Sequence, residues 1–294
     1  MPEFPVTIGS QPVAGKRPGA AELSVPTDDG VTLAGEQSGT GPPIVLLHGL
    51  TATRRYVVMG SRLLERSGLL VVSYDARGHG RSTPAPNPSA YGYERLATDL
   101  LNLFDALDLD RAILAGASIG AQTIVRFALE HPERVAALGL ITPAFDPATH
   151  ASDPGAFAGW DALARGLRDG GVEGFMAAYD FASVPDAWRA TVETVVRQRL
   201  SAHEHPEAVA DALEVVPRSR PFGDMTELSS IEAPAIVVAS RDEADPDHPL
   251  AVAERYARAI PGATLIVEDT GQSPLAWQGG QLSKALLSFA DRSS

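Results

Sequence analysis

Residues 111–135 read RAILAGASIGAQTIVRFALEHPERV, and the reading of this stretch decides the fold. Ala112-Ile113-Leu114-Ala115 is a short apolar run of the kind that forms a parallel strand buried on both faces. Gly116-Ala117-Ser118-Ile119-Gly120 follows, and beyond it Ile124, Phe127 and Ala128 recur at helical spacing. His131-Pro132 ends the helix, because proline lacks the N–H that continues it and disfavours helical backbone in the residue before. Strand, G-x-S-x-G and helix in that order is the context of a nucleophile elbow. The turn is so tight that flanking side chains would collide, so both flanks are glycine and the serine hydroxyl stands at the carboxyl end of the sheet.

Working outward, Ala21 to Val25 and Val31 to Gly35 flank Pro26-Thr27-Asp28-Asp29-Gly30 and read as a hairpin. Pro43 to Leu47 is an apolar strand ending in His48-Gly49-Leu50, Thr53 to Arg66 has helical periodicity, and Leu69 to Tyr74 is a buried strand. Tyr93 to Leu107 is an amphipathic helix that leads into the elbow strand, and Val135 to Ile141 is a strand after it. Strands alternating with helices imply a mostly parallel sheet covered on both faces. The alternation stops from residue 145 to residue 225, where Phe157 to Leu167, Val172 to Phe181, Asp186 to Leu200 and Pro206 to Val216 are helical. It resumes with a strand at Ala235 to Ala239, a helix at Leu250 to Ile260, a strand at Thr264 to Val267 and a closing helix at Gln281 to Ala290. The expected organisation is an N-terminal arm over 1–20, an α/β core over 21–144 and 226–294, and a helical cap over 145–225 inserted after the sixth strand.

Composition narrows the function. With 294 residues, 44% hydrophobic content and no cysteine, the chain is a globular protein without disulfides, thiolate metal sites or a cysteine nucleophile. Its net charge of -13 argues against nucleic acid and anionic membrane surfaces as partners. The N-terminus lacks a basic start followed by an apolar stretch, and no apolar run approaches a membrane span, so a cytoplasmic protein is expected. The Rossmann and P-loop fingerprints are absent, and no dense His/carboxylate cluster has metal spacing, so neither a metal nor an organic cofactor is expected. The expected partner is a small-molecule substrate; the sequence carries no signal for an oligomeric state.

Four motifs in this order resemble the α/β-hydrolase superfamily, specifically its single-domain enzymes with a helical cap. They are Val45-Leu46-Leu47-His48-Gly49, Asp75-x-Arg77-Gly78-x-Gly80-x-Ser82, the elbow around Ser118, and Ile231-x-x-Pro234 before a strand ending Ser240-Arg241-Asp242. The resemblance covers about residues 21 to 144 and 226 to 294, and the cap matches only in kind. It implies Ser118 as nucleophile and an oxyanion hole built from the backbone N–H groups of Leu50 and Ile119. Such donors are the economical way to stabilise the charge that acyl transfer develops on a carbonyl oxygen. It also implies a triad acid at Asp242, with Asp245 on the same loop and Asp146 after the preceding strand as alternatives. His48 and His79 are expected to be structural, and Asp75, Arg77 and Arg81 are candidates for an ion-pair network bracing their turn.

The catalytic histidine of this pattern belongs in the loop after the last strand, which here reads Glu268-Asp269-Thr270-Gly271-Gln272-Ser273-Pro274. Gln272 occupies that position, and no histidine follows His248. An amide has no useful basicity, so Gln272 cannot accept the serine proton. Three readings stay open: a hydrolase crippled or trapped by the glutamine, a hydrolase whose base is His248, and a noncatalytic binding protein that uses Ser118 as a polar contact. The leading expectation is a serine hydrolase with an incomplete triad, acting on a small, uncharged to modestly polar ester, lactone or related carbonyl compound.

Overall fold

The computed structural model describes residues 7–9, 19–149, 157–241, 245 and 247–290. Nine strands form one sheet: β1 (Thr7–Gly9), β2 (Ala21–Pro26), β3 (Thr32–Ser38), β4 (Pro43–Leu47), β5 (Leu70–Tyr74), β6 (Ala112–Ala117), β7 (Val135–Ile141), β8 (Ala235–Ala239) and β9 (Thr264–Val267). Their spatial order is β1-β2-β3-β5-β4-β6-β7-β8-β9. The first three strands are antiparallel and the rest run parallel. The fold is thus the mostly parallel, helix-covered sheet that the alternating pattern implies.

The reason lies in the strand sequences. All five residues of β8 (AIVVA) are buried, as are four of five in β4 (PIVLL), so each strand offers an apolar side chain to both faces. On one face Val45, Leu114 and Val237 pack with α2 (Tyr93–Ala106), α3 (Ile119–Glu130) and α7 (Leu250–Ala259) through Phe104, Phe127 and Tyr256. On the other, Leu46, Ile113 and Val238 meet α1 (Leu63–Arg66) and α8 (Gly279–Ala290) through Leu64, Leu282 and Leu286. A fully buried Phe127 alone contributes on the order of 2–3 kcal/mol from area removed from water.

The structure departs from the expected elements in three places. Thr7–Gly9, read as part of a loose arm, pairs antiparallel with β2, whose outer edge would otherwise leave its N–H and C=O groups open. With β1 counted, the helical insertion follows the seventh strand in chain order. Thr53 to Arg66 is a 3-10 turn at Arg54–Tyr56 and the short α1 rather than one helix. The two helices expected from 157 to 181 meet at a kink at Gly171, φ 58°, and are labelled together as α4 (Ala158–Ala178).

Between β7 and β8 the described residues contain α4, α5 (Asp186–Leu200), α6 (Pro206–Val215) and short 3-10 turns, with no strand. Leu167, Phe175, Val192, Leu200 and Leu213 from these helices share an apolar cluster with Leu50, Leu96 and Ile119. The insertion therefore packs at the carboxyl edge of the sheet, where the elbow emerges.

Candidate active site

Ser118 joins β6 to α3 with φ 51° and ψ -113°, a conformation L-residues avoid. Gly116 and Gly120 make this possible. A Cβ on Gly116 would come within 2.3 Å of the Gly120 backbone, and one on Gly120 within 2.5 Å of the Leu47 carbonyl oxygen. Ser118 occupies the N-cap position of α3, yet its hydroxyl makes no capping hydrogen bond, which removes the plain capping role. The Ser118 N–H donates to the Ile141 carbonyl at 2.9 Å. Gln122, with its amide oxygen toward the Ala144 and Phe145 N–H groups (2.8 and 3.1 Å), turns its nitrogen to the Ser118 carbonyl. The strained turn is anchored by its backbone, and its side chain is left uncommitted.

The loop after β4 lies against it. A Cβ built on Gly49 would be 3.5 Å from the Ser118 Cβ. Three histidines fasten the carbonyls of three successive residues in this loop. His48 Nε2 accepts from the Ala76 N–H at 2.9 Å, so the proton is on Nδ1, which donates to the Gly49 oxygen at 2.8 Å. His79 Nε2 lies 2.7 Å from the Leu50 oxygen and its Nδ1 2.9 Å from the Arg77 oxygen; the neutral ring donates to one at a time. His203, between α5 and α6 of the helical insertion, accepts from the Gly80 N–H at 2.8 Å and donates through Nε2 to the Thr51 oxygen at 3.2 Å.

The three rings adjoin in sequence, His48 tilted against His79 and His79 edge-on to His203, with 5.2 and 5.5 Å between centroids. Burial pushes His48 and His203 down to about 3, with the neighbouring His79 acting in the same direction, so both are neutral donors. Burial also lowers His79. With their carbonyls held, the N–H groups of Leu50 and Ile119 donate no hydrogen bond among the described residues. Ile119 is the first residue of α3, where an N–H has no acceptor inside its own helix.

The turn after β5 braces the same region, but not as a solvated ion-pair network. Arg77 is fully buried; its Nε and Nη2 donate to the two Asp99 oxygens at 2.7 and 2.6 Å, and its Nη1 to Asp29 at 2.9 Å. Asp99, not Asp75, is its main partner. Burial opposes ionisation of Asp29, yet the hydrogen bonds from Arg77 and Thr27 and the charges of Arg77 and Arg95 together outweigh it and hold Asp29 at about 2. Asp75 accepts from the Arg54 and Arg81 N–H groups at 2.9 and 3.1 Å and pairs with the Arg54 side chain.

The remaining expected residues lie on the loops after β8 and β9. Asp242 falls outside the described residues. Asp245 accepts from His248 Nδ1 at 2.7 Å, which leaves the His248 Nε2 directed away from the pair. Burial works against the charge on both groups of this pair, but their mutual attraction wins: Asp245 is lowered and His248 raised. Gln272 is exposed, and only its backbone is engaged, the N–H donating to the Asp269 oxygen at 3.0 Å. Between these loops Glu268 takes the Arg241 N–H at 2.6 Å and the Leu275 N–H at 3.0 Å. Asp146, the outlying acid, is committed to Arg255 and to the Ala148 N–H at 2.9 Å.

The family model described as "alpha/beta hydrolase fold" matches residues 42–278. The chain belongs to the alpha/beta hydrolase fold family. An esterase from Thermogutta terrifontis, solved with malate bound, superposes with a TM-score of 0.77 at 28% identity, covering 92% of this chain and 98% of that one. The Pseudomonas syringae pv. syringae (strain B728a) protein named "Putative carbamate hydrolase RutD" is 29% identical over 236 residues, 80% of this chain and 88% of its own. A Mycobacterium phage D29 protein named "Putative non-heme haloperoxidase" is 40% identical over 117 residues, which span 41% of its length. These similarities support a hydrolase of the alpha/beta class. Among the described residues no helix is long and apolar enough to cross a membrane.

Sequence reasoning passed over His203 and Arg199. Each sits on a polar-looking stretch of the insertion, and only the packing of that insertion onto the core brings either to the site.

Proposed function

We propose that this protein is a serine hydrolase that cleaves small esters, lactones or related carbonyl compounds through an acyl-enzyme on Ser118, beneath a cap formed by the helical insertion. The observation that carries this reading is the strained Ser118, with its hydroxyl uncommitted beside two uncommitted N–H groups at Leu50 and Ile119. A carbonyl oxygen placed against those donors would be stabilised as its charge develops. We take His248 as the base. Its Nδ1 is held by Asp245, which fixes the tautomer and leaves Nε2 to take the Ser118 proton.

The step balances simply. The Ser118 oxygen bonds to the carbonyl carbon, His248 takes the hydroxyl proton and passes it to the departing alcohol oxygen as the acyl–oxygen bond breaks. Water then attacks the acyl-enzyme with the same base, releasing the acid and restoring the serine. Gln272, exposed and without a side-chain hydrogen bond, takes no part in this scheme.

Incubation with p-nitrophenyl acetate followed by intact-mass spectrometry tests it. Acetylation should appear on the wild-type chain, map to Ser118 and be lost in Ser118→Ala together with p-nitrophenol release. Steady turnover that survives Ser118→Ala would overturn the reading, and so would a wild-type chain that is never acylated and never turns over, in which case a noncatalytic binding role replaces it.

A further inference from the structure

Arg199 lies in the last turn of α5, at the seam between the helical insertion and the core. The arginines of that helix nearer its exposed side are spoken for: Arg189 pairs with Asp186 at 2.7 Å, and Arg197 pairs with Glu173. Arg199 is different. Its guanidinium stacks over the Tyr56 ring at 5.3 Å, which covers one face and leaves the in-plane N–H donors free. None of those donors meets an acceptor among the described residues, and Nε is shut off from water as well. A buried donor without a partner costs free energy on folding, so the unpartnered Arg199 guanidinium calls for an explanation.

Arg199 stacks over Tyr56, six residues past Leu50, and its neighbours in the chain reach the same loop: Leu200 shares an apolar cluster with Leu50 and Ile119, and His203 donates to the Thr51 oxygen. Its charge is felt at His48 and at the Asp245–His248 pair. Arg199 therefore lies where the insertion packs against the loop beside Ser118. Asp245 is hydrogen-bonded to His248, and Asp247 takes the Tyr179 hydroxyl at 3.4 Å, so neither makes an ion pair with the guanidinium.

We infer that Arg199 binds a carboxylate carried by the substrate, making the preferred substrate a monoanionic ester or lactone with an apolar body and a free carboxyl group. This rests on the hydrolase reading of the same site and replaces the uncharged substrate expected from the apolar insertion alone. A guanidinium matches a planar carboxylate with two parallel hydrogen bonds. A dianionic phosphate fits worse: one cation would face it together with the carboxylates of Asp245 and Asp247. The aromatic side chains of Tyr56, Tyr179 and Phe181, the last two with ring centroids 4.5 Å apart, suit the apolar remainder.

The test compares p-nitrophenyl butyrate with mono-p-nitrophenyl glutarate, which differ chiefly in the terminal carboxylate. The wild-type kcat/KM should favour the glutarate ester at least about ten-fold, and Arg199→Gln should lower that ratio at least about ten-fold, mostly through KM. Arg199→Lys, which keeps the charge but not the fork, should retain an intermediate ratio. Calorimetry of monomethyl glutarate binding to Ser118→Ala provides a readout that does not depend on turnover. Binding should be present, weaken with Arg199→Gln, and exceed that of inorganic phosphate. Hydrolysis of both esters at similar efficiency, with no Arg199-dependent binding, would overturn the carboxylate assignment and leave the hydrolase reading intact. Arg199-dependent binding without acylation of Ser118 would do the reverse. The absence of both binding and discrimination overturns the inference outright.

Discussion

The two walls of the candidate site are built on opposite principles. On one side Gly49, Leu50 and Thr51 have their carbonyls fixed by three buried histidines, drawn from the core and from the helical insertion. On the other, the loops after β8 and β9 present a single His248–Asp245 pair and an exposed Gln272. The first wall uses neutral imidazoles as rigid donors; the second holds one imidazole whose proton can move. The difference teaches that histidine content says little about where acid–base chemistry sits. A histidine with both nitrogens committed to backbone groups is scaffold, and one with a carboxylate on Nδ1 and nothing on Nε2 is available to a substrate.

The largest expected effect tests the second wall. If His248 is the base, His248→Ala should cut turnover of p-nitrophenyl acetate on the order of a million-fold, the scale of losing a triad base, and Asp245→Asn on the order of ten-thousand-fold. Steady-state kinetics would check both. The pH profile adds the sign. The base must be neutral to act, so activity appears as pH rises through the His248 value, which Asp245 raises against the effect of burial. In Asp245→Asn the residual activity should therefore extend to lower pH. Losses below about ten-fold in His248→Ala would break the contrast between the two walls.

The first wall should reveal itself in stability. His48 and His203 are held near about 3 when folded and return to the ordinary value near 6.5 when unfolded. A group depressed in this way contributes stability that is present above the unfolded value and lost as pH falls toward the folded one. Between about pH 6 and 4 the two together should cost about 2.7 kcal/mol per pH unit, or about 4 kcal/mol from pH 7 to 5. Urea unfolding at the two pH values measures it. His203→Asn, whose amide can serve both the Gly80 N–H and the Thr51 oxygen, should halve the dependence; an unaltered slope would mean that these rings are not the acid-sensitive groups.

Legibility in the sequence follows the same division. The parallel sheet was readable because β4, β6 and β8 are apolar on both faces, and the elbow because its glycines are demanded by sterics at two points. The strand at Thr7–Gly9 was not readable: three residues carry too little pattern, and only the open edge of β2 gives them a reason to be extended. Arg77 was read as bracing its own turn with Asp75 and Arg81 because nothing local announces Asp29 and Asp99, which are 48 and 22 positions away. Arg199 left a trace. It falls seven residues after Val192 and three after Val196, both buried, so a charge stands on the apolar stripe of α5. What it faces depends on how the insertion docks, which no local pattern encodes. His248 and Asp245 were each legible as candidates, but their pairing, though only three residues apart, was not read from the sequence.

The smallest expected effect decides between the two accounts of the missing base. If the glutamine is a lesion in an otherwise ordinary triad, Gln272→His should raise hydrolysis of an activated ester at least about a hundred-fold, the value of a well-placed general base. The structure points the other way. Gln272 is exposed, its only hydrogen bond among the described residues is made by its backbone, and the neighbouring Glu268 is committed to the Arg241 and Leu275 N–H groups rather than to orienting a side chain at 272. A histidine placed there would have no described carboxylate to fix its tautomer. With His248 in place, Gln272→His and Gln272→Ala should both change kcat/KM for p-nitrophenyl acetate by no more than about three-fold, as exposed substitutions outside a reacting centre do. A hundred-fold gain that vanishes in the Ser118→Ala background would return the base to the loop after β9 and leave His248–Asp245 as a structural pair. An unaltered rate, together with the collapse expected of His248→Ala, assigns the mobile proton to the loop after β8.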